Sequence, residues 1–231
     1  MLEDLKERVL RQNLALVKHG LVILTWGNVS AIDRKSGYVV IKPSGVSYDK
    51  MTVEDMVIVD LDGKTVEGKY RPSSDTPTHL ELYKAFADIG GVVHTHSVNA
   101  TAFAQAGKSI VPLGTTHADA FYGNVPVTRQ LTEEEINSDY ERNTGKVIIE
   151  TFSDKDYAAI PAVLIHSHGV FTWGATPEKA VENSVIVESV AEIALKTIHL
   201  DCNLKTISQC LLDKHYNRKH GKNAYYGQMK N

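Results

Sequence analysis

Val29-Ser-Ala-Ile-Asp33 and Tyr38-Val-Val-Ile41, joined through Arg34-Lys-Ser-Gly37, decide the fold class. Two short runs rich in β-branched and aromatic residues flank a polar turn ending in glycine, which predicts a β-hairpin and therefore antiparallel pairing. Toward the N-terminus, apolar residues at helical spacing from Leu2 to Val17, stopped by Gly20, predict an amphipathic helix. Downstream, Thr52-Val-Glu-Asp55 can cap one helical turn, and Met56 to Asp60 reads as a strand turning at Asp62-Gly63. Thr76 and Pro77 look like an N-cap and first-turn pair opening a helix to about Ala87, with the strand Gly91 to His96 behind it. Asn99 to Ala106 reads as a helix ending at Gly107. Thr132-Glu-Glu-Glu135 is a capping box for a helix ending near Gly145, before a strand from Lys146 to Thr151. Ala162 to His166 and Val170 to Trp173 follow as strands. Thr176-Pro-Glu178 then opens a long helix whose apolar face includes Val181, Val185, Val187, Ala191 and Leu195. With no repeat and no Pro-, Gly- or Ser-rich linker, residues 1–231 are expected to form one α/β domain. Its sheet should be largely antiparallel, with helices on its faces.

Composition narrows the function. At 231 residues and 42% hydrophobic, the chain can bury a normal core. Its 25 basic and 28 acidic groups sum to −3 with no long run of either sign, so there is no footprint for nucleic acid. Charged residues interrupt Met1 to Gly20, unlike a signal peptide, and the apolar runs elsewhere are too short for a membrane span. Cys202 and Cys210 build no disulfide framework, and a cytoplasmic location is expected.

The sharpest chemical feature is His94-Thr-His96, because the side-chain period of a strand puts both imidazoles on one face. His166-Ser-His168-Gly169 repeats the spacing at the end of another apolar run. A divalent ion needs three or four such ligands, and a catalytic one keeps a position open for substrate. One pair alone is as readily structural. Of the second pair, His168 is the first choice because Gly169 suggests a strand end open to a pocket, with His166 in reserve. Arg71-Pro-Ser-Ser-Asp75-Thr-Pro77 gathers two hydroxyls, a carboxylate and backbone N–H groups at a helix start, which suits an anion or an ordinary capped loop. Lys42-Pro-Ser44-Gly45 and Trp26-Gly-Asn28 are weaker signals of the same kind. Gly114-Thr115-Thr-His-Ala-Asp119 reads equally as a helix cap, and the tail from Asp213 through His215, Arg218 and Tyr226 as a solvated end.

Seven segments in order sharpen these readings: TWGNVS from Thr25, IKPSGV from Ile41, RPSSDTPTH from Arg71, GGVVHTHS from Gly90, GTTHAD from Gly114, HSHG from His166 and RKHGKNAYYGQ from Arg218. Together they resemble the class II aldolase and epimerase family, on its pentulose-phosphate 4-epimerase branch, over essentially the whole chain. The resemblance implies a three-layer α/β/α fold, one divalent ion per subunit, usually zinc, and a ring-shaped homotetramer acting on a small sugar phosphate. It implies metal ligation by Asp75, His94, His96 and His168, and substrate or phosphate contacts from Asn28, Lys42, Ser44, Gly45, Ser73, Ser74 and Thr115. Asp119 and Tyr226 are the implied proton carriers, with Tyr226, His215 and Arg218 reaching the site from a neighbouring subunit's tail, about 213–231. Fuculose and rhamnulose phosphate aldolases of the family carry Glu where this chain has Asp75, which favours the epimerase.

The implied chemistry is interconversion of L-ribulose 5-phosphate and D-xylulose 5-phosphate. The C4 hydrogen is too far from the C2 carbonyl to be acidic, so removal of the C4 hydroxyl proton and cleavage of C3–C4 replace simple deprotonation. Re-addition to the other face of the aldehyde inverts C4. Such a scheme needs a base and an acid on opposite sides of the aldehyde. The rivals are a sugar-phosphate aldolase of the same family and a non-catalytic metal-binding module.

Overall fold

Successive hairpin side chains point to opposite faces, and in this chain both faces are covered. The computed structural model describes residues 1–226; the last five residues of the expected tail lie outside them. Strand β1 (Asn28–Asp33) pairs antiparallel with β2 (Tyr38–Ile41), from Ser30 opposite Ile41 to Asp33 opposite Tyr38. The turn closes on Asp33, whose carbonyl accepts from Gly37 N at 2.8 Å and whose carboxylate accepts from Ser36 Oγ at 2.6 Å. The other strands are β3 (Val57–Val59), β4 (Thr65–Glu67), β5 (Gly91–Thr95), β6 (Ala162–Leu164) and β7 (Val170–Gly174). They form one sheet of order β4-β3-β2-β1-β5-β7-β6, antiparallel at every pairing.

The helices are α1 (Glu3–Lys18), α2 (Thr76–Ala85), α3 (Val98–Gln105), α4 (Thr115–Ala118), α5 (Glu133–Asn137), α6 (Tyr140–Thr151), α7 (Pro177–Leu200) and α8 (Gln209–His220). Val39, Ile41, Val57, Val92, Phe171 and Trp173 share a core with Leu80 and Tyr83 of α2 and Ile148 of α6. The intervening positions face the other way: Val40 and Ile58 meet Val9 of α1, while Val29 and Val93 meet Leu16 of α1 and Val181 of α7. Ala162, Leu164 and Val170 pack with Phe103 of α3 and Val187 of α7. Period-two alternation thus builds the expected α/β/α layers, each large apolar side chain contributing about 1.5–3 kcal/mol on burial. Val181, Val187 and Ala191 of α7 are buried as expected, whereas Leu195 is 37% exposed. Among the described residues, no helix is long and apolar enough to cross a membrane.

Several sequence expectations give way. The capping box at Thr132 forms, with Glu135 N donating to Thr132 Oγ1 at 3.2 Å, but its helix ends at Asn137. Lys146 to Thr151, expected as a strand, is the second half of α6. Asn143, Thr144, Val147 and Ile148 are buried at helical spacing, so packing overrides the β-branched content. Gly145, read as a stop, is a contact point: a Cβ there would lie 2.7 Å from Glu81 Cβ on α2. Strand β6 ends at Leu164 and does not carry His166. The N-cap of α2 is Asp75, not Thr76, and its side chain makes no capping bond. The polar tail contains a helix, α8, and a short strand, β4, edges the sheet; neither was expected.

Candidate metal centre

Three imidazoles converge at one end of the interior strands β5 and β7, where β5 finishes and β7 begins. His94 is 2% exposed near the end of β5, and parity turns it toward the α2 side. Its Nδ1 lies 3.1 Å from the carbonyl oxygen of Val170 and its ring stacks on Phe171 at 4.3 Å. Donation from Nδ1 to that carbonyl fixes the tautomer and leaves the Nε2 lone pair free. His96 follows just past the strand, with its Nε2 at 3.1 Å from His94 Nε2. Two nitrogens each about 2.0–2.1 Å from one tetrahedral zinc ion would sit roughly 3.3 Å apart, so the spacing fits a shared ion.

His168 completes the group by a different route from the one its spacing suggests. Beyond β6 the chain makes a tight turn, with Ile165 N donating to Gly169 O at 2.8 Å and Ser167 in the left-handed region at φ 61. The turn brings His168 to the cluster, and ligand nitrogens of His94, His96 and His168 all lie within 4.8 Å of one another. His166 is left outside, against Gly107, with Nδ1 2.9 Å from Ser167 Oγ. Gly169 permits the approach, since a Cβ would sit 2.7 Å from Thr95 O and 2.9 Å from His96 Cδ2. Burial, with His94 and His96 adding to it, pushes the His168 imidazole down to about 4 despite Asp75. Burial likewise lowers His96. Both rings are therefore neutral near pH 7, the state that ligates a metal.

Asp75 faces the same cleft but lies outside the three-nitrogen cluster. Its Oδ2 accepts from Asn28 Nδ2 at 2.6 Å. Burial opposes its ionisation, but His94, His79 and the Asn28 hydrogen bond outweigh it and hold the carboxyl below its usual range. Asn28 Oδ1 is buried with no partner among the described residues, an acceptor left for a hydroxyl.

The cleft encloses about 430 Å³ and joins the imidazoles to a polar wall of Lys42, Ser44, Gly45, Ser73 and Ser74. The backbone makes this wall: Ser44 N donates to Arg71 O and Ser73 N to Lys42 O, each at 2.9 Å, drawing the two loops together at the start of α2. Lys42 is 2% exposed, and its ammonium donates only long bonds to the carbonyls of Thr25 at 3.3 Å and Pro43 at 3.4 Å. Burial pushes its pKa down to about 8, with Asp75 opposing. A buried cation beside three serine hydroxyls and a helix N-terminus suits a phosphate. Tyr140 and Glu141 also line the cleft. The sequence reading missed both because it ran one helix through the break at Ser138, where the backbone leaves the helical region with no Gly or Pro to signal it.

Asp119, His215, Arg218 and Tyr226 are brought together, but away from this cleft, none of them lining it. Asp119 closes α4, and its carboxylate accepts from Arg218 Nη2 at 2.6 Å and from His215 Nδ1 at 3.0 Å. Burial opposes its ionisation, but those hydrogen bonds and the Lys219 charge prevail and lower its pKa. Tyr226 is 61% exposed, its ring beneath the Arg218 and Lys219 cations at 5.1 and 4.3 Å. Thr115 opens α4, and its carbonyl accepts from Asp119 N at 2.9 Å. One chain therefore carries two separate groups, imidazoles with a phosphate wall on one cleft and a carboxylate with a cationic tail elsewhere.

The profile of the class II aldolase and adducin N-terminal domain family matches residues 7–195. The chain is 55% identical over 227 residues to the L-ribulose-5-phosphate 4-epimerase UlaF of Salmonella paratyphi A, spanning 98% of this chain and 100% of that protein. The same protein of Salmonella typhi matches equally. Among solved structures, an L-fuculose 1-phosphate aldolase superposes with a TM-score of 0.79 at 25% identity, covering 93% of this chain and 95% of that one. YgbL from Klebsiella pneumoniae shares the fold, with a TM-score of 0.74, 20% identity, and 93% and 99% coverage.

Proposed function

This chain belongs to the class II aldolase and adducin N-terminal domain family, and from that premise we propose that it interconverts L-ribulose 5-phosphate and D-xylulose 5-phosphate by breaking and re-forming C3–C4. The observation that carries the reading is one cleft holding three convergent imidazoles beside a buried lysine and a serine wall. A relative 55% identical along its full length bears the epimerase name.

In this reading Lys42, Ser44, Gly45, Ser73, Ser74 and Asn28 hold the phosphate end, and His94, His96 and His168 with Asp75 hold one divalent ion, zinc by its affinity for such a nitrogen-rich set. The ion supplies positive charge against the enediolate that C3–C4 cleavage leaves behind. Asp119 and Tyr226 move the C4 hydroxyl proton from opposite sides of the aldehyde, with Thr115, His215 and Arg218 beside them. Because these groups stand apart from the cleft, a neighbouring subunit supplies them, and residues 1–231 form one domain whose tail completes the next subunit's site in a cytoplasmic homotetramer. The separation of the two groups supports this arrangement, with Asp119 belonging to the tail's half of the site.

Incubation with L-ribulose 5-phosphate, assayed for D-xylulose 5-phosphate, tests the activity. The likeness to L-fuculose 1-phosphate aldolase favours an aldolase as the second reading. Net release of dihydroxyacetone and glycolaldehyde phosphate without epimer would establish that instead.

A further inference from the structure

We propose that Tyr140 is a positioning residue for the metal centre, acting through His168; the proposal rests on the reading that His94, His96 and His168 hold the ion. The Tyr140 hydroxyl lies 3.2 Å from His168 Nδ1, the one hydrogen bond that this ring makes among the described residues. With Nδ1 so engaged, Nε2 is the nitrogen left to ligate. In that state Nδ1 keeps its hydrogen and donates to the phenol oxygen, as His94 Nδ1 does to the Val170 carbonyl. His94 is held within a strand by a backbone partner. His168 sits instead on a turn with a left-handed residue before it, so its ring direction depends on a side chain.

Tyr140 itself is well anchored. It is the first residue of α6 and half-buried at the cleft wall. The corner that presents it is tied by Asn143 Nδ2, which donates to Glu135 O at 3.0 Å and Ser138 Oγ at 3.1 Å. Thr144 Oγ1 also donates to Tyr140 O at 2.9 Å. The interruption between α5 and α6 therefore has a consequence at the centre: a continuous helix through Ser138 would carry the phenol elsewhere. Hydrogen-bond partners of metal-bound histidines orient the ring and raise its basicity, and losing one typically costs about 10–100-fold in metal affinity.

The test competes the loaded full-length protein against a chromophoric chelator, with zinc and then with cobalt(II). Tyr140→Phe should weaken metal affinity by about 10–100-fold and alter the visible absorption of the cobalt(II) form, while the thermal midpoint of the metal-free protein stays unchanged. Tyr140→Gln, which keeps an acceptor oxygen, should recover part of the loss. In a His168→Ala background, Tyr140→Phe should cost nothing further, because its route to the ion is gone. The proposal is overturned if Tyr140→Phe binds within about two-fold of the parent with the same cobalt spectrum, or if it weakens binding equally in both backgrounds. If His168→Ala binds metal as tightly as the parent, the three-histidine reading has failed, and the proposal fails with it.

Discussion

Replacing Lys42 with methionine should stabilise the protein and weaken its hold on a phosphorylated sugar, two effects of opposite sign. Burial lowers the Lys42 pKa from 10.5 to about 8, and Asp75 offsets only part of this. The folded state then binds the proton less tightly than the unfolded state. The charged form therefore costs stability in full below about pH 8, and the cost fades as pH rises toward 10.5. At about 1.4 kcal/mol per pKa unit the cost is at most roughly 3 kcal/mol near neutrality. Methionine has a similar reach and fills the same slot without a charge. Thermal unfolding without sugar should thus show Lys42→Met with the higher midpoint near neutral pH, the gap closing in alkaline buffer. A charge-assisted phosphate contact contributes about 1.5–3 kcal/mol, so KM should rise on the order of 10–100-fold, with kcat less affected because the contact persists through the reaction. A variant that is less stable near neutrality, and whose KM is unchanged, would show that the ammonium is a structural strut and refute the phosphate assignment.

Three further outcomes are expected. Asp119→Asn should lower turnover while metal content by elemental analysis stays at the parent's level, since the carboxylate is placed outside the ion's ligands; metal loss would contradict that. Gly169→Ala should weaken metal binding, because its Cβ would lie 2.7 Å from Thr95 O and 2.9 Å from the His96 ring; unchanged chelator competition would show that the turn yields freely. Co-refolding His96→Asn with Tyr226→Phe should regenerate activity in mixed tetramers. Half the metal halves would be intact and half of those would face an intact tail, so recovery should approach about one quarter of the parent's activity. Asp119→Asn should complement His96→Asn in the same way and fail to complement Tyr226→Phe. Mixed tetramers, verified by differently tagged chains, that never exceed the separate mutants would exclude the shared site.

Much of this protein is legible locally. The hairpin from Val29 to Ile41 declares antiparallel pairing because turn chemistry and β-branched runs act over a few residues, and β1 and β2 form as read. His94-Thr-His96 declares its shared face because the strand period is built into the backbone, and both rings join the cluster. The ordered motifs carried the family, which the profile match over residues 7–195 bears out. Lys42 and Ser44 form a weak signal alone and the Ser73-Ser74-Asp75 loop an ambiguous one, and the structure gathers them on one cleft.

Tertiary structure decided the rest. Lys146 to Thr151 is helical because α2 and the sheet bury a 3.6-residue stripe there, a preference that β-branched composition hides. His168, and not His166, reaches the cluster because Ser167 adopts a left-handed conformation that no spacing rule anticipates. Tyr140 reaches His168 only through the corner at Ser138. Asp119 follows the cationic tail instead of the imidazoles, because its ion pairs with Arg218 and Lys219 join elements about a hundred residues apart in sequence. Local sequence encodes periods, caps and turns, whose energies involve neighbours along the chain. Which side chains meet across the layers depends on packing between distant segments, and that is settled only when the whole sheet and its helices come together.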